Sequence, residues 1–225
     1  MAIYDAGYLS PIRKKLGNAV GRKWRTLDVL AVYRKTIRNP KTLPQRLVRA
    51  RFSALATMSM QCDQAIQMGY TVRCTGTPVP PRSQFIGTNW AMSSASESNG
   101  VISTTLDYED MFLAVGSLPA VNIGTLDATT ARTLVIPLND SASVGQVSSD
   151  DKVYMVAYCP ELGVCALSSD GKRTDEEISM MVPSSWVGKR VHVYVLTIGH
   201  GTNNNGQDNE GKVANSVYGG SATVA

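Results

Sequence analysis

The first 51 residues carry thirteen Lys and Arg side chains against two acids, Asp5 and Asp28, whereas residues 52–225 carry nine bases against sixteen acids. A net +11 is thus followed by a net −7, which together make the formal +4. So one-sided a tract must face nucleic acid, an acidic protein neighbour or water, and the average charge hides a strongly polar molecule. The 225 residues suffice for one large or two small domains.

Residues 1–41 show no sustained helical apolar stripe, and Gly7, Gly17 and Gly21 punctuate them. The run Lys15 to Trp24 reads as two short extended pieces joined by a Gly17-Asn18 turn. An isolated hairpin is marginal in water. This arm is therefore expected to order only when its anchors, Tyr4, Tyr8, Trp24, Leu27 and Leu30, pack on the body or on another subunit. Val29, Ala31 and Tyr33 fall on one face of a possible strand, with Leu30 and Val32 opposite.

Asn39-Pro40-Lys41-Thr42-Leu43-Pro44-Gln45 ends an extended segment and opens a helix expected over 42–69. Thr42 with Gln45 has capping-box spacing, and Pro44 suits a first turn in which its missing N–H costs nothing. Val48, Phe52, Leu55, Cys62 and Ile66 recur at helical spacing as one buried stripe, and Gly69 suits the position just beyond the helix end. Arg46, Arg49 and Arg51 flank the stripe. Three readings of them stay open: a solvated helix face, a protein interface, or phosphate contact. Candidate contacts to phosphate or to an acidic partner are these three together with Arg13, Lys14, Lys15, Arg22, Lys23 and Arg25.

Residues 70–117 read as an irregular connection, with Thr75-Gly76-Thr77-Pro78-Val79-Pro80-Pro81 as a rigid crossing or surface loop and Ser93 to Gly100 as a turn-rich loop. Asp107, Glu109 and Asp110 lack a histidine or further acid nearby, so they read as an acidic exposed patch rather than metal ligands. From about 118 the texture is β. Thr133 to Leu138 and Lys152 to Cys159 alternate, and Leu162–Leu167 and Thr174–Met181 flank a Ser169-Asp170-Gly171-Lys172 turn. Pro183 to Gly188 forms a corner around Trp186, Arg190 to Ile198 is the best strand, and a last strand is expected around Lys212 to Tyr218. The expected fold class is α+β: an extended basic N-terminal arm over 1–41 and one long helix, attached through 70–117 to an antiparallel β-sandwich of immunoglobulin or fibronectin type over 118–225.

No catalytic constellation emerges. His192 lies on a strand among Val and Tyr, His200 sits in a Gly- and Asn-rich loop, and no Gly-x-Ser-x-Gly elbow, Walker motif or dinucleotide motif occurs. Cys62, Cys74, Cys159 and Cys165 are too dispersed for a disulfide scaffold or a zinc cluster. No catalytic residue, metal or cofactor is expected. Met1 to Ser10 does not read as a secretory signal, and no apolar run reaches membrane-spanning length.

Four stretches together carry a resemblance: Gly17 to Trp24; Asn39 to Gln45 with Arg49-Ala50-Arg51-Phe52; Pro183 to Gly188; and Val213 to Gly220. In this combination the chain resembles an uncharacterised family of Bacteroidota and of their phages and prophages. The Asn39 to Phe52 stretch is also similar to segments of phage-associated proteins. The resemblance implies no activity. It points to a non-enzymatic virion subunit in a head-to-tail connector, tail-ring or capsid-associated position. Such a subunit would form homo-oligomers, contact other virion proteins and possess optional non-specific DNA contact but no membrane contact, and would be located in the virion and in the host cytoplasm during assembly. The alternatives are a nucleic-acid-binding accessory protein using the basic arm and a bacterial surface or adhesion module.

Overall fold

The structure, a computed structural model, describes residues 2–3, 14–24, 26–36, 39–139, 146–203 and 205–225. Among the described residues the architecture is α+β, mostly antiparallel sheet with three α-helices.

In the stretch expected to be a basic arm, the described residues form a small sheet of four strands, β1 (Ala2–Ile3), β2 (Lys14–Leu16), β3 (Ala19–Trp24) and β4 (Leu27–Val32), in the order β1-β4-β3-β2. Gly17 turns β2 into β3 at φ +56°, where a side chain would be strained. The register sets Arg22 opposite Val29, Lys23 opposite Asp28 and Trp24 opposite Leu27. Val29 is buried at 1% exposure, whereas Leu16, Trp24, Val32 and Tyr33 are exposed.

The single helix expected over 42–69 is two helices, α1 (Leu43–Gln61) and α2 (Asp63–Cys74). Cys62 leaves helical geometry (φ −96°, ψ 28°), yet the ladder continues across it, with the Cys62 N–H bonded to Met58 O and the Ile66 N–H to Cys62 O. The bend lets Leu55 and Met58 of α1 and Ile66 and Tyr70 of α2 share one core. Thr42 takes the cap position and its carbonyl accepts the Arg46 N–H, but the side-chain cap bond suggested by the Thr42–Gln45 spacing is not made. Val48 and Phe52 are exposed, contrary to the expected stripe. The inward face includes Arg51, whose guanidinium lies 4.3 Å over the Trp90 ring, a position that polarity alone assigns to the outside.

Gly69 does not end the helix. A β-carbon there would lie 2.4 Å from Leu113 O and 2.7 Å from Ala114 Cβ, so the glycine allows close backbone approach in mid-helix. Residues 70–117 are likewise more regular than expected. They contain the rest of α2, α3 (Pro81–Thr88) and a hairpin of β5 (Ser93–Ser98) and β6 (Val101–Leu106). Asn99 and Gly100, at φ +51° and +79°, make its two-residue turn, the dipeptide best suited to two successive left-handed residues.

The remaining strands are β7 (Thr133–Pro137), β8 (Lys152–Cys159), β9 (Val164–Leu167), β10 (Gly171–Lys172), β11 (Glu177–Met181), β12 (Arg190–Ile198) and β13 (Val217–Thr223). The central sheet runs β10-β8-β12-β13, with β9 also on β8, and β7 pairs separately with β11. The segments on either side of Ser169–Lys172 therefore do not form a hairpin: β9 returns to β8 while β11 joins β7. The last strand lies five residues beyond the expected one, because Val213 and Ala214 make isolated bridges to Ile198 and Leu118 instead. A bulge between Val193 and Tyr194 falls at Gly219, where a β-carbon would meet Ile136 Cδ1 at 2.6 Å.

Alternation along β8 and β12 serves two cores. Val153, Met155, Ala157, Val191, Val193 and Val195 pack with Leu134, Ile136, Ile178 and Trp186 on one side. Val156, Tyr158, Tyr194 and Leu196 pack with the helices on the other. The sheet is thus the floor of the helical layer as well as one wall of the β half.

Candidate interaction surfaces

Arg13, Arg25, Tyr4 and Tyr8 lie outside the described residues. Lys14 and Lys15 stand on β2, Arg22, Lys23 and Trp24 on β3, and Leu27 and Leu30, both half-buried, on β4. Lys15 Nζ sits 4.1 Å over the Tyr33 ring. Among the described residues, Lys14, Lys15, Arg22 and Lys23 form no ion pair with a carboxylate. Trp24 is 47% exposed, whereas Val29 on the neighbouring strand is buried.

The three helix arginines are engaged within the chain. Arg46 pairs with Glu97 at 3.6 Å, tying α1 to the β5–β6 hairpin. Arg49 donates to Asn39 Oδ1 at 2.8 Å, which holds the segment entering the helix. Arg51 donates to Trp90 O at 2.6 Å and to Ser93 Oγ at 3.2 Å while stacked on the Trp90 ring. Their positive charge is surface-legible; their bonding partners are not.

A second surface lies where the helix-side face of the central sheet emerges beyond the helices. Tyr108 packs 4.2 Å, centroid to centroid, from His192 and 5.9 Å from Tyr158, and His192 Nδ1 is 2.9 Å from the Tyr218 hydroxyl. Tyr194, buried beneath, donates to Tyr108 O at 2.7 Å. Burial, and then the Arg190 guanidinium, hold the His192 pKa below its ordinary value, which keeps the imidazole neutral near pH 7. Burial raises the Tyr108 and Tyr218 hydroxyls. Asp107, Glu109 and Asp110 surround Tyr108 and are exposed. The acidic patch read from the sequence is therefore present, and it borders half-buried aromatic rings contributed by three separate stretches of chain.

The segment carrying this patch continues inward between the layers. Its backbone polar groups cannot reach water there and need side-chain partners. Asn89 supplies both kinds, donating from Nδ2 to Phe112 O at 2.9 Å and accepting the Phe112 N–H at 2.8 Å. Tyr70 also donates to Phe112 O, and burial pushes its hydroxyl up to about 12. Ser216 Oγ accepts the Leu113 N–H at 2.9 Å.

On the β side, Arg173 and Asp151 form a fully buried ion pair at 3.3 Å. Asp151 also accepts the Ser148 and His200 N–H groups, while Arg173 donates to Pro119 O at 2.6 Å. These bonds join the β8–β10 edge to the loops around it. None of the four cysteines is in a disulfide. A hydrogen bond with Cys165, together with burial, raises the Cys62 thiol far above its ordinary range, so it is held unreactive. Among the described residues no three His, Cys, Asp or Glu side chains converge on a metal position, and no helix is long and apolar enough to cross a membrane.

No curated protein and no solved structure matches the chain. A family match extends over residues 11–220, ending within β13. The chain belongs to the family of unknown function DUF6266.

Proposed function

We propose that the chain is a non-enzymatic structural subunit of a phage particle, in a head-to-tail connector, tail-ring or capsid-associated position. One observation carries this reading: among the described residues the arm presents exposed apolar side chains and cations that pair with no carboxylate, while the body has two filled cores. Such an unfinished surface on a finished body suits a protein completed by its neighbours. In the same reading the β half is an immunoglobulin- or fibronectin-like sandwich, supported by two sheets facing one another across the Trp186 core. The subunit is then a homo-oligomer that meets other virion proteins, made in the host cytoplasm and retained in the virion. Mass spectrometry of purified particles from a host carrying the gene tests it. A stoichiometric band is expected, and absence from particles abandons the reading.

The exposed Lys14, Lys15, Arg22 and Lys23 beside Trp24 favour a second reading, phosphate contact by a nucleic-acid-binding accessory protein. Retention on random duplex DNA that falls steeply between low and moderate salt is its expected signature. Salt-insensitive or absent retention removes it.

A further inference from the structure

We infer that the arm sheet of one copy docks on the aromatic-acidic surface of a second copy, at Tyr108, His192 and Tyr218 with Asp107, Glu109 and Asp110 around them. The inference rests on the assembly reading and names the partner and its surface.

The arm cannot complete itself. Its strands are two to six residues long, and exposed apolar side chains lie on both of its faces: Trp24 on one, Leu16 and Val32 on the other. So small a sheet needs a covering surface. Its cations differ from those of the body. Lys152, Lys172, Arg173 and Lys189 each have a carboxylate within 3.3 Å, whereas Lys14, Lys15, Arg22 and Lys23 have none among the described residues.

The receiving surface is matched in chemistry. Asp107, Glu109 and Asp110 form no ion pair among the described residues and sit on one short segment. The rings of Tyr108, His192 and Tyr218 pack together and are half-buried, and on this inference their outward sides receive the Lys and Arg side chains and Trp24. A groove lined by Met92, Ser94, Thr105 and Asp107 adjoins it. The occupant is a second copy because the complementary charges belong to one sequence: residues 1–41 carry ten Lys and Arg against two acids, and residues 52–225 carry nine bases against sixteen acids. Arm-to-body contact uses different patches on the two copies, so it is heterologous and continues to a third copy, around a ring or along a filament.

Charge exchange on the full-length chain tests this, with native mass measured at low and moderate salt and circular dichroism to verify folding. The wild type is expected to assemble at low salt. Arg22→Glu with Lys23→Glu, or separately Asp107→Lys with Glu109→Lys and Asp110→Lys, should each weaken assembly by about tenfold or more. Mixing the two reversed proteins should restore their association with one another, because the reversed arm then faces a reversed body. Glu176→Lys with Glu177→Lys, on acids away from these rings, should assemble as wild type. Milder neutralising variants, Arg22→Gln and Glu109→Gln, provide the same comparison if a reversed chain fails to fold. A wild-type monomer at all salts, unchanged assembly after reversal at 107–110, or a mixture that stays apart overturns the inference. So does a monomer retained on duplex DNA through its arm. A chain that assembles in this way yet is missing from particles abandons the virion reading alone; a chain found in particles but monomeric when purified abandons the docking alone.

Discussion

The arm sheet and the central sheet are built by the same antiparallel ladder but differ in what covers them. On β8 and β12 both faces are sealed, one by helices and the other by β7, β11 and Trp186. On β3 and β4 Val29 is fully buried while Trp24 and Val32 stay exposed. Charge follows the same division, since the lysines of β8 and β10 have carboxylate partners and those of β2 and β3 have none among the described residues. Strand pairing by itself therefore says little about burial. A sheet becomes a core only when other elements supply its missing layers.

This contrast predicts that substitutions in the body destabilise the chain while those in the arm alter association. The largest effect is expected for Asp151→Ala, which leaves Arg173 buried without its carboxylate and removes the acceptor for two loop N–H groups. A loss of about 3–5 kcal/mol is expected in chemical denaturation. Gly69→Ala follows, at about 2–3 kcal/mol, because its methyl group would be driven into Leu113 O and Ala114 and any gain in helix propensity is smaller. Asn89→Ala should cost about 1–2 kcal/mol, because the Phe112 N–H loses its acceptor while the Phe112 carbonyl keeps the Tyr70 hydroxyl.

A pH titration sharpens the contrast further. The folded pKa of His192 is lowered from 6.5, so as pH falls through 6.5 the unfolded chain takes up the proton first and stability declines until the folded pKa is reached. His192→Gln should flatten that slope in urea midpoints measured between pH 7 and pH 5. An unchanged slope would assign the acid sensitivity to another group. The smallest effect is expected for Trp24→Ala, within about 0.5 kcal/mol of wild type for unfolding at moderate salt and low concentration. A loss of about 2 kcal/mol there would mean that the arm is integral to the monomer, and the distinction between the two regions would fail.

Much of the body was legible because its side chains alternate. Val153, Met155 and Ala157 against Tyr154, Val156 and Tyr158 already mark a strand with apolar side chains on both faces, and the Trp186 corner follows from Pro183 and Gly188. Pairing partners were not legible, since nothing local distinguishes β9 returning to β8 from β9 pairing with β11. The β5–β6 hairpin is different: Asn99-Gly100 announces it, but the serine-rich strands hide it by lacking an apolar face. For the candidate surfaces, the sequence supplied the arm cations and the acids at 107–110. It could not supply the juxtaposition of Tyr108, His192 and Tyr218, which depends on strand register. Nor could it show that Arg46, Arg49 and Arg51 are engaged within the chain.

The segment through Phe112 and Leu113 is fastened on two sides, to Asn89 and Tyr70 in the helical layer and to Ser216 just before β13. Mechanically this is a rivet. A pull on the arm enters α1, passes through the helices and reaches the sheet across these short side-chain bonds as well as along the chain itself. Drawing the layers apart along this segment requires breaking the bonds on one of its two sides, so the helices and the sheet resist separation through side chains and not only through the chain itself.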